Sequence, residues 1–227
     1  WVARMMMMGL KFMGDVPFKD VYIHGLVRDE KGEKYSKTRG NVVDPLELID
    51  RFGADALRFT LAALTMPGSD LKLSESRTEG YRHFANKIWN ASRFVLMNLE
   101  TWSPDAMAQT HSSEEFSLPD RWIRGRLNET IRSVRKALDE YKFNEACHIL
   151  YQFIWHEFCD WYLEMTKLYL YREGDQKRQD LTRQTLLEVL DAILRLLHPF
   201  MPFITEEIWQ QLPTRKGNES IMVAEFP

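Results

Sequence analysis

Apolar residues recur at helical spacing through long segments of the last two thirds of the chain. The clearest case follows Ser76. With Tyr81 set at zero and about 100° per residue, one inward face collects Phe84, Ala85, Ile88, Ser92, Val95, Leu96 and Leu99. The same spacing predicts further helices at residues 119–141, 144–171 and 176–198, and a short one at 203–212. Because amphipathic helices bury their apolar faces against one another, we predict a mainly α protein with a helix bundle over 76–227.

The first third of the chain mixes helix and strand signals. A helix is predicted over residues 1–13, ending near Gly14, followed by a strand from Asp20 to Val27. This order is typical of a small α/β remnant of a parallel sheet. Turn and capping residues then predict helices over 45–52 and 54–64, a short strand at 71–73, and a capping box at Ser76–Glu79. The final run, 220–226, is predicted to be extended.

Composition excludes several classes of protein. The chain has 30 basic and 33 acidic residues and a net charge of −3, so it lacks the overall positive field of a general nucleic-acid coat. No apolar run reaches the roughly 18–20 residues of a membrane-spanning helix, and we expect no membrane or DNA partner. Cys147 and Cys159 lie on different sides of one predicted helix, which favours free thiols in a reducing compartment. His148, His156 and Cys159 share that helix and cannot surround a tetrahedral ion, so we expect no structural metal.

A short basic segment follows the predicted strand. Residues 34–40 contain three cations, two hydroxyl groups and a glycine. Such a loop suits phosphate binding, since mobile cations, hydroxyls and backbone N–H groups can all reach phosphate oxygens. On composition alone, a solvated surface loop is the more common explanation.

Several motifs together resemble the class I aminoacyl-tRNA synthetases. The segments that carry this resemblance are His24-Gly25, Lys34-Tyr-Ser-Lys-Thr38, Gly40-Asn-Val-Val-Asp-Pro45 and Gly53-Ala-Asp-Ala-Leu-Arg58. Neighbouring segments are similar to the valine-specific members of that class: Trp1-Val-Ala-Arg-Met5, Val21-Tyr-Ile-His-Gly-Leu26, Lys72-Leu-Ser-Glu75, Phe84-Ala-Asn-Lys-Ile-Trp89, Phe158-Cys-Asp-Trp-Tyr-Leu163 and His198-Pro-Phe-Met-Pro-Phe203. The resemblance implies three parts: residues 1–43 as the end of a nucleotide-binding catalytic domain, 44–75 as an α/β connector, and 76–227 as a helical anticodon-binding domain.

The resemblance also implies roles for single residues. Lys34 and Lys37 would be catalytic, stabilising the pyrophosphate that leaves ATP when valine is activated, and ATP would further contact His24, Gly25 and Ser36. Charge that develops on a leaving group is well met by mobile cations. The loop departs from the usual Lys-Met-Ser-Lys-Ser pattern at Tyr35, Thr38 and Arg39. Implied substrates and partners are ATP with Mg²⁺ as counter-ion, valine, and valine tRNA, in the cytoplasm.

A polar stripe marks the outer face of the helix after Ser76. Arg82, Asn86, Asn90 and Arg93 fall between about 100° and 180° from Tyr81. Amide and guanidinium groups in a row suit the unstacked bases of an anticodon loop, although a solvated helix face is an equally simple explanation. The arginines of residues 121–135 add to the positive charge of this middle third.

The start of the chain resembles the interior of a longer protein. The family's His-Ile-Gly-His motif and editing domain have no counterpart in these 227 residues, so we expect them not to make valyl-adenylate alone. We interpret the chain as a carboxy-terminal piece of such a synthetase. The alternatives are the same region of the isoleucine-specific sister family and a free-standing helical RNA-binding module.

Overall fold

A computed structural model describes residues 1–35, 44–100, 102–103, 112–214 and 219–227. Helices dominate this part of the chain, as predicted. The α-helices are α1 Val2–Met13, α2 Pro45–Phe52, α3 Ala54–Leu64, α4 Glu75–Leu99, α5 Leu118–Asp139, α6 Phe143–Gln152, α7 Leu163–Leu170, α8 Gln176–Leu197 and α9 Pro202–Trp209. A π-helical segment, Phe153–Tyr162, joins α6 to α7, and short 3-10 turns lie at Ser113–Glu115 and Ile221–Val223.

The strands are shorter than predicted. β1 spans Val27–Arg28 and pairs in parallel with β2, Leu71–Lys72. The prediction of a strand from Asp20 to Val27 is therefore wrong for residues 20–26. A strand extends only as far as a partner supplies ladder hydrogen bonds, and β2 provides two paired residues.

Helix starts follow local capping chemistry, with one correction. Asp44 accepts a hydrogen bond from the Leu46 N–H at 2.9 Å and begins α2 as predicted. α4 begins at Glu75 rather than after Ser76, because the Ser74 hydroxyl accepts from the Arg77 N–H at 3.3 Å. The predicted capping box at Ser76–Glu79 is thus wrong. Ser74 takes the role because its backbone is extended, at φ −126° and ψ 146°, which is the cap conformation.

The predicted helix over 144–171 is one continuous helical path with a wide central turn. Phe153, Phe158 and Tyr162 are buried in its π-helical segment, whereas Trp161 is 64% exposed. The path therefore has an exposed side despite its many aromatic residues. The final run is also corrected, since residues 221–223 form a 3-10 turn instead of an extended strand.

The inward face of α4 is confirmed. Phe84, Ile88 and Val95 are at most 2% exposed and lie in the main core with residues of α5, α6, α8 and α9. Two contacts show that α4 runs parallel to the continuous path of α6, the π-helical segment and α7. Tyr81 contacts Tyr151 near the start of α4, and Phe94 contacts Lys167 near the end of α4.

A buried carboxylate ties three helices together inside the bundle. Asp120, in the first turn of α5, accepts hydrogen bonds from the Ser117 hydroxyl at 2.5 Å, the Tyr162 hydroxyl at 2.7 Å and the Thr182 hydroxyl at 3.3 Å. Burial and the negative Asp120 hold the pKa of Tyr162 well above its usual range, so its hydroxyl stays a donor. A buried charge is tolerated here because several donors satisfy it.

A second buried carboxylate joins the first third of the chain to the bundle. Asp55 on α3 accepts from the backbone N–H groups of Phe203 at 3.2 Å and Ile204 at 2.7 Å, in the first turn of α9. Three residues on, Arg58 donates to the carbonyl groups of Pro199 at 3.1 Å and Phe200 at 3.3 Å. Asp55 therefore caps a helix that has no side-chain cap of its own. We call Asp55, Arg58 and the α8–α9 turn at 198–204 the interdomain clamp.

Replacing Asp55 by alanine should lower the free energy of unfolding by about 1–3 kcal/mol, because two N–H groups of α9 lose their acceptor. Urea denaturation of the purified chain measures this loss. Asp50→Ala, an exposed carboxylate on α2, is the matched control and should change stability by less than about 0.5 kcal/mol. Equal effects of the two substitutions would contradict the capping role.

Stability should fall as the pH drops below about 7, in part through His198. Burial lowers the pKa of this imidazole below 6.5, and the adjacent Arg58 acts in the same direction, whereas Glu206 and Asp55 oppose it. A lowered pKa in the folded state means that the unfolded chain binds more protons, so unfolding becomes easier as the pH falls through 6.5. Urea midpoints at pH 7.5 and 5.5 should differ less for His198→Gln than for the wild type. An unchanged difference would contradict this assignment.

Candidate functional site

The predicted phosphate loop begins on a tight hairpin. After β1, the Gly32 N–H donates to the Asp29 carbonyl at 2.9 Å, and Gly32 adopts the left-handed φ of 82° that favours glycine. The chain then returns, so that Lys34 forms an antiparallel bridge with Arg28. The backbone of Lys34 is thereby fixed beside β1 while its side chain remains exposed. Ser36, Lys37, Thr38 and Arg39 lie outside the described residues.

His24 and Gly25 lie at the other end of β1. The exposed His24 ring places its Nδ1 2.8 Å from the Gly25 carbonyl oxygen. A Cβ atom at Gly25 would lie 1.9 Å from the carbonyl oxygen of Ser69, so only glycine permits this approach of two backbones. The structure thus explains why residue 25 is a glycine. Sequence reasoning missed this explanation because the Ser69 loop is more than 40 residues away.

Asp70 fixes β1 against the same loop. Its carboxylate accepts from the Leu26 N–H at 2.9 Å and forms an ion pair with Arg28. The Leu26 hydrogen bond and the Arg28 guanidinium lower the pKa of Asp70, which keeps the carboxylate ionised. The structure thus places His24 and Gly25 just before β1 and Lys34 on the hairpin that follows it.

Tyr35 lines a cavity of about 320 Å³ beside this strand. The other lining residues are Asp29, Glu30, Leu48, Leu73 and Glu75. Partial burial and the charges of Asp29 and Glu30 raise the pKa of Tyr35, so the phenol stays protonated. The two leucines provide apolar surface beside Tyr35, which stands where the usual family pattern has methionine. The three carboxylates provide polar groups in the same lining.

The predicted stripe on α4 faces solvent. Arg82, Asn86, Asn90 and Arg93 are all exposed. Arg82 donates to the Arg51 carbonyl at 3.4 Å, whereas the other three side chains make no hydrogen bond or ion pair within the described part of the chain. The stripe is therefore open to a partner, and its binding role stays a prediction.

Lys87, on another side of α4, was missed by sequence reasoning. It forms an ion pair with Asp160 of the π-helical segment and lies 4.0 Å above the Trp155 ring. The sequence pattern gave little indication of this contact because Lys87 falls outside both the inward face and the stripe.

Most arginines of α5 have internal partners. Arg124 pairs with Glu188, and Arg126 makes a bidentate pair with Glu157 at 2.7 Å. Arg135 donates to the carbonyl groups of Phe226 and Pro227. These three arginines hold the bundle together, which leaves Arg121 and Arg132 as the exposed cations of the predicted series that have no partner within the described residues.

The two cysteines are free and poorly ionised. Burial raises the pKa of the Cys147 thiol well above its usual range, and burial raises that of Cys159 to about 12. Within the described residues, no group of three or more histidine, cysteine or acidic side chains is placed to hold a metal ion. Over the same residues, no helix is long and apolar enough to cross a membrane.

Comparisons with known proteins match both ends of the chain. Residues 1–74 match the family model for class I tRNA synthetases (I, L, M and V), and residues 120–227 match the model for the anticodon-binding domain of tRNA ligase. The whole chain is 58% identical to a valine-tRNA ligase of Geobacter sulfurreducens, 54% to that of Bacillus cereus and 52% to that of Aquifex aeolicus. It spans 20–25% of the length of these relatives.

A solved structure shares the fold. The chain is similar over 99% of its length to LeuRS of Agrobacterium radiobacter K84, solved as a ternary complex with tRNA and LeuAMS. The TM-score is 0.69, the sequence identity is 24%, and the match covers 26% of that protein. At this identity the likeness concerns the fold alone.

Both thiols should react slowly with a disulfide reagent in the folded chain. With a pKa near 12, only about one Cys159 in ten thousand is a thiolate at pH 8, and Cys147 is fully buried. We expect both groups to react at once in 6 M guanidinium chloride and neither to react readily without it. A fast-reacting thiol in the native chain, followed spectroscopically with Ellman's reagent, would contradict the described burial.

Proposed function

We propose, from the premise that this chain belongs to the class I tRNA synthetase family, that it forms the part of a valine-tRNA ligase that contacts both ATP and the tRNA anticodon. The observation that carries the proposal is a whole-chain identity of 52–58% to valine-tRNA ligases. The chain spans about a quarter of those enzymes, so the ligase reaction belongs to the whole protein.

We assign residues 1–43 to the end of the nucleotide-binding domain, 44–75 to the connector and 76–227 to the anticodon-binding bundle. β1 and its hairpin belong to the first part, while α2, α3 and β2 form the second. The interdomain clamp and the parallel β1–β2 pair support this order, because each links two parts by polar groups at close range.

ATP is proposed as the ligand of the loop after β1. Lys34 and Lys37 would meet the phosphates, and pyrophosphate would leave as the valine carboxylate bonds to the α-phosphorus. Ammonium groups that reach the leaving pyrophosphate stabilise charge that appears only in the transition state. The fixed backbone of Lys34 beside β1 and the exposure of its side chain support this role. Mg²⁺ would accompany the polyphosphate as its counter-ion.

Valine tRNA is proposed as the macromolecular partner. The outward amides and guanidinium groups of α4 can bind base edges, and Asn86, Asn90 and Arg93 have no hydrogen bond or ion pair within the described residues that must break first. The α5 arginines are less suitable, since Arg124, Arg126 and Arg135 hold internal partners.

The isoleucine-specific sister family is a second candidate, for which every feature of the fold would be the same. The relatives named above are all valine-tRNA ligases, which favours valine. A free-standing RNA-binding module would use the same α4 face without ATP.

Replacing Asn86, Asn90 and Arg93 together by alanine should weaken the binding of valine tRNA by the 227-residue chain at least tenfold. Each lost base or phosphate contact is worth about 1–3 kcal/mol. Filter binding or fluorescence anisotropy with a valine tRNA transcript measures the affinity at fixed salt.

The matched control is Asn128→Ala with Arg132→Ala on α5, which removes similar exposed groups from another helix. This control should retain near wild-type affinity. An unchanged affinity in the α4 variant would show that the stripe is only solvated surface, and stronger binding of isoleucine tRNA would favour the sister family.

A further inference from the structure

A cavity of about 370 Å³ lies where α3, α4 and α6 meet, apart from the stripe on the outer face of α4. It is lined by Ala63, Arg77, Gly80, Tyr81, Cys147, His148, Tyr151 and Gln152. This volume falls in the range of pockets that hold small ligands, about 300–1,000 Å³.

Polar side chains of this cavity are not used in hydrogen bonds within the part of the chain that the structure describes. Within the described part of the chain, Arg77, His148 and Gln152 are exposed and their side chains make no hydrogen bond or ion pair. The hydroxyl groups of Tyr81 and Tyr151 are likewise without a hydrogen bond there. Several polar groups that converge on one cavity and are not used internally are typical of a binding site.

The two tyrosine rings form an aromatic corner. Their centroids lie 6.2 Å apart, and their planes are nearly perpendicular, at 86°. Tyr81 packs against Phe59 at 4.9 Å and Tyr151 stacks on Trp155 at 5.4 Å, so both rings are supported from behind. A rigid aromatic surface of this kind suits a planar heterocycle, since any base can pack on it.

The charge of the cavity favours an anion. No carboxylate lines it, and it carries the positive guanidinium of Arg77 together with the hydrogen-bonding imidazole of His148. By contrast, the Tyr35 cavity has three acidic residues, the groove between α5 and α6 has two, and the cavity beside Trp102 has one.

Gly80 supplies an independent observation. It lies inside α4, where glycine costs about 1 kcal/mol relative to alanine, and its φ is not in the left-handed region. A Cβ atom at this position would meet nothing within 4 Å, so packing inside the protein does not require glycine. Because no packing contact requires a glycine at this position, we take its role to be keeping the cavity open for a ligand.

We propose that this cavity holds one unstacked nucleotide of the bound tRNA, with its base on the Tyr81–Tyr151 corner and its phosphate at Arg77 and His148. The proposal rests on the proposed function, because it takes tRNA as the partner. The cavity is a second contact point, separate from the stripe of Arg82, Asn86, Asn90 and Arg93.

The test fills the cavity without removing any charge. Gly80→Leu places a side chain in the cavity, while Gly80→Ala adds only a methyl group. Gly125→Leu on α5 makes the same change at another exposed helical glycine with open space around it. Each of the three should raise the melting temperature by about 2–4 °C through helix propensity, which shows that the variants fold.

Affinities for a valine tRNA transcript then separate the outcomes. We expect Gly80→Leu to bind about tenfold more weakly than the wild type, with Gly80→Ala and Gly125→Leu within twofold of it. Arg77→Gln should reduce the slope of log affinity against log salt by about one. Equal affinities for all three glycine variants would overturn the proposal while leaving the proposed function intact. A wild-type chain that does not bind valine tRNA would overturn both.

Adenosine monophosphate serves as a second probe. If it bound the wild type and not Gly80→Leu while tRNA affinity stayed equal in both, the cavity would be a site for free nucleotides, and the RNA proposal would be wrong.

Discussion

The interdomain clamp is the interaction on which the arrangement of this protein depends. One turn of α3 supplies Asp55, which caps α9, Arg58, which binds the carbonyl groups before α9, and Phe59, which is fully buried against Phe84 and Phe200. The contacts with α9 and with the turn before it join residues more than 140 positions apart in sequence. Because the acceptor and donor groups are backbone groups of a helix turn, their geometry fixes both the distance and the direction of α3 relative to the bundle.

The clamp has a consequence for the two candidate ligand surfaces. β2 follows α3 and pairs with β1, so the short segment that has His24 and Gly25 before β1 and Lys34 after it is linked through β2 to α3, the helix that caps α9. α4 begins after two intervening residues and presents its polar stripe from there. The loop proposed to bind ATP and the helix proposed to bind the anticodon are therefore both positioned by α3. The chain as a whole carries a net charge of −3. Binding of an anionic partner must then rely on local cations, and three of the five α5 arginines already have internal partners.

Sequence reasoning predicted the features that local chemistry decides. Asp44 with Pro45, Gly14 and the apolar face of α4 each specify a helix boundary or a buried face within a few residues. It failed where a distant partner decides. The strand over 20–27 is limited by the two residues of β2. In the site, the exposure of Arg82, Asn86, Asn90 and Arg93 followed from periodicity alone. The need for glycine at position 25, the Lys87–Asp160 pair and the cavity at Gly80 depend on contacts between separate elements and had no local signal.

The central claim is that the outward face of α4 is where this protein meets its tRNA. Hydroxyl-radical footprinting of the chain, read out by mass spectrometry with and without a valine tRNA transcript, tests it most directly. The account predicts lower oxidation on the exposed side of α4, most clearly at Trp89, which is 38% exposed there, and no change at Met222 or Val223 in the final 3-10 turn. Protection confined to α5 or to the last residues, with α4 unaffected, would contradict it.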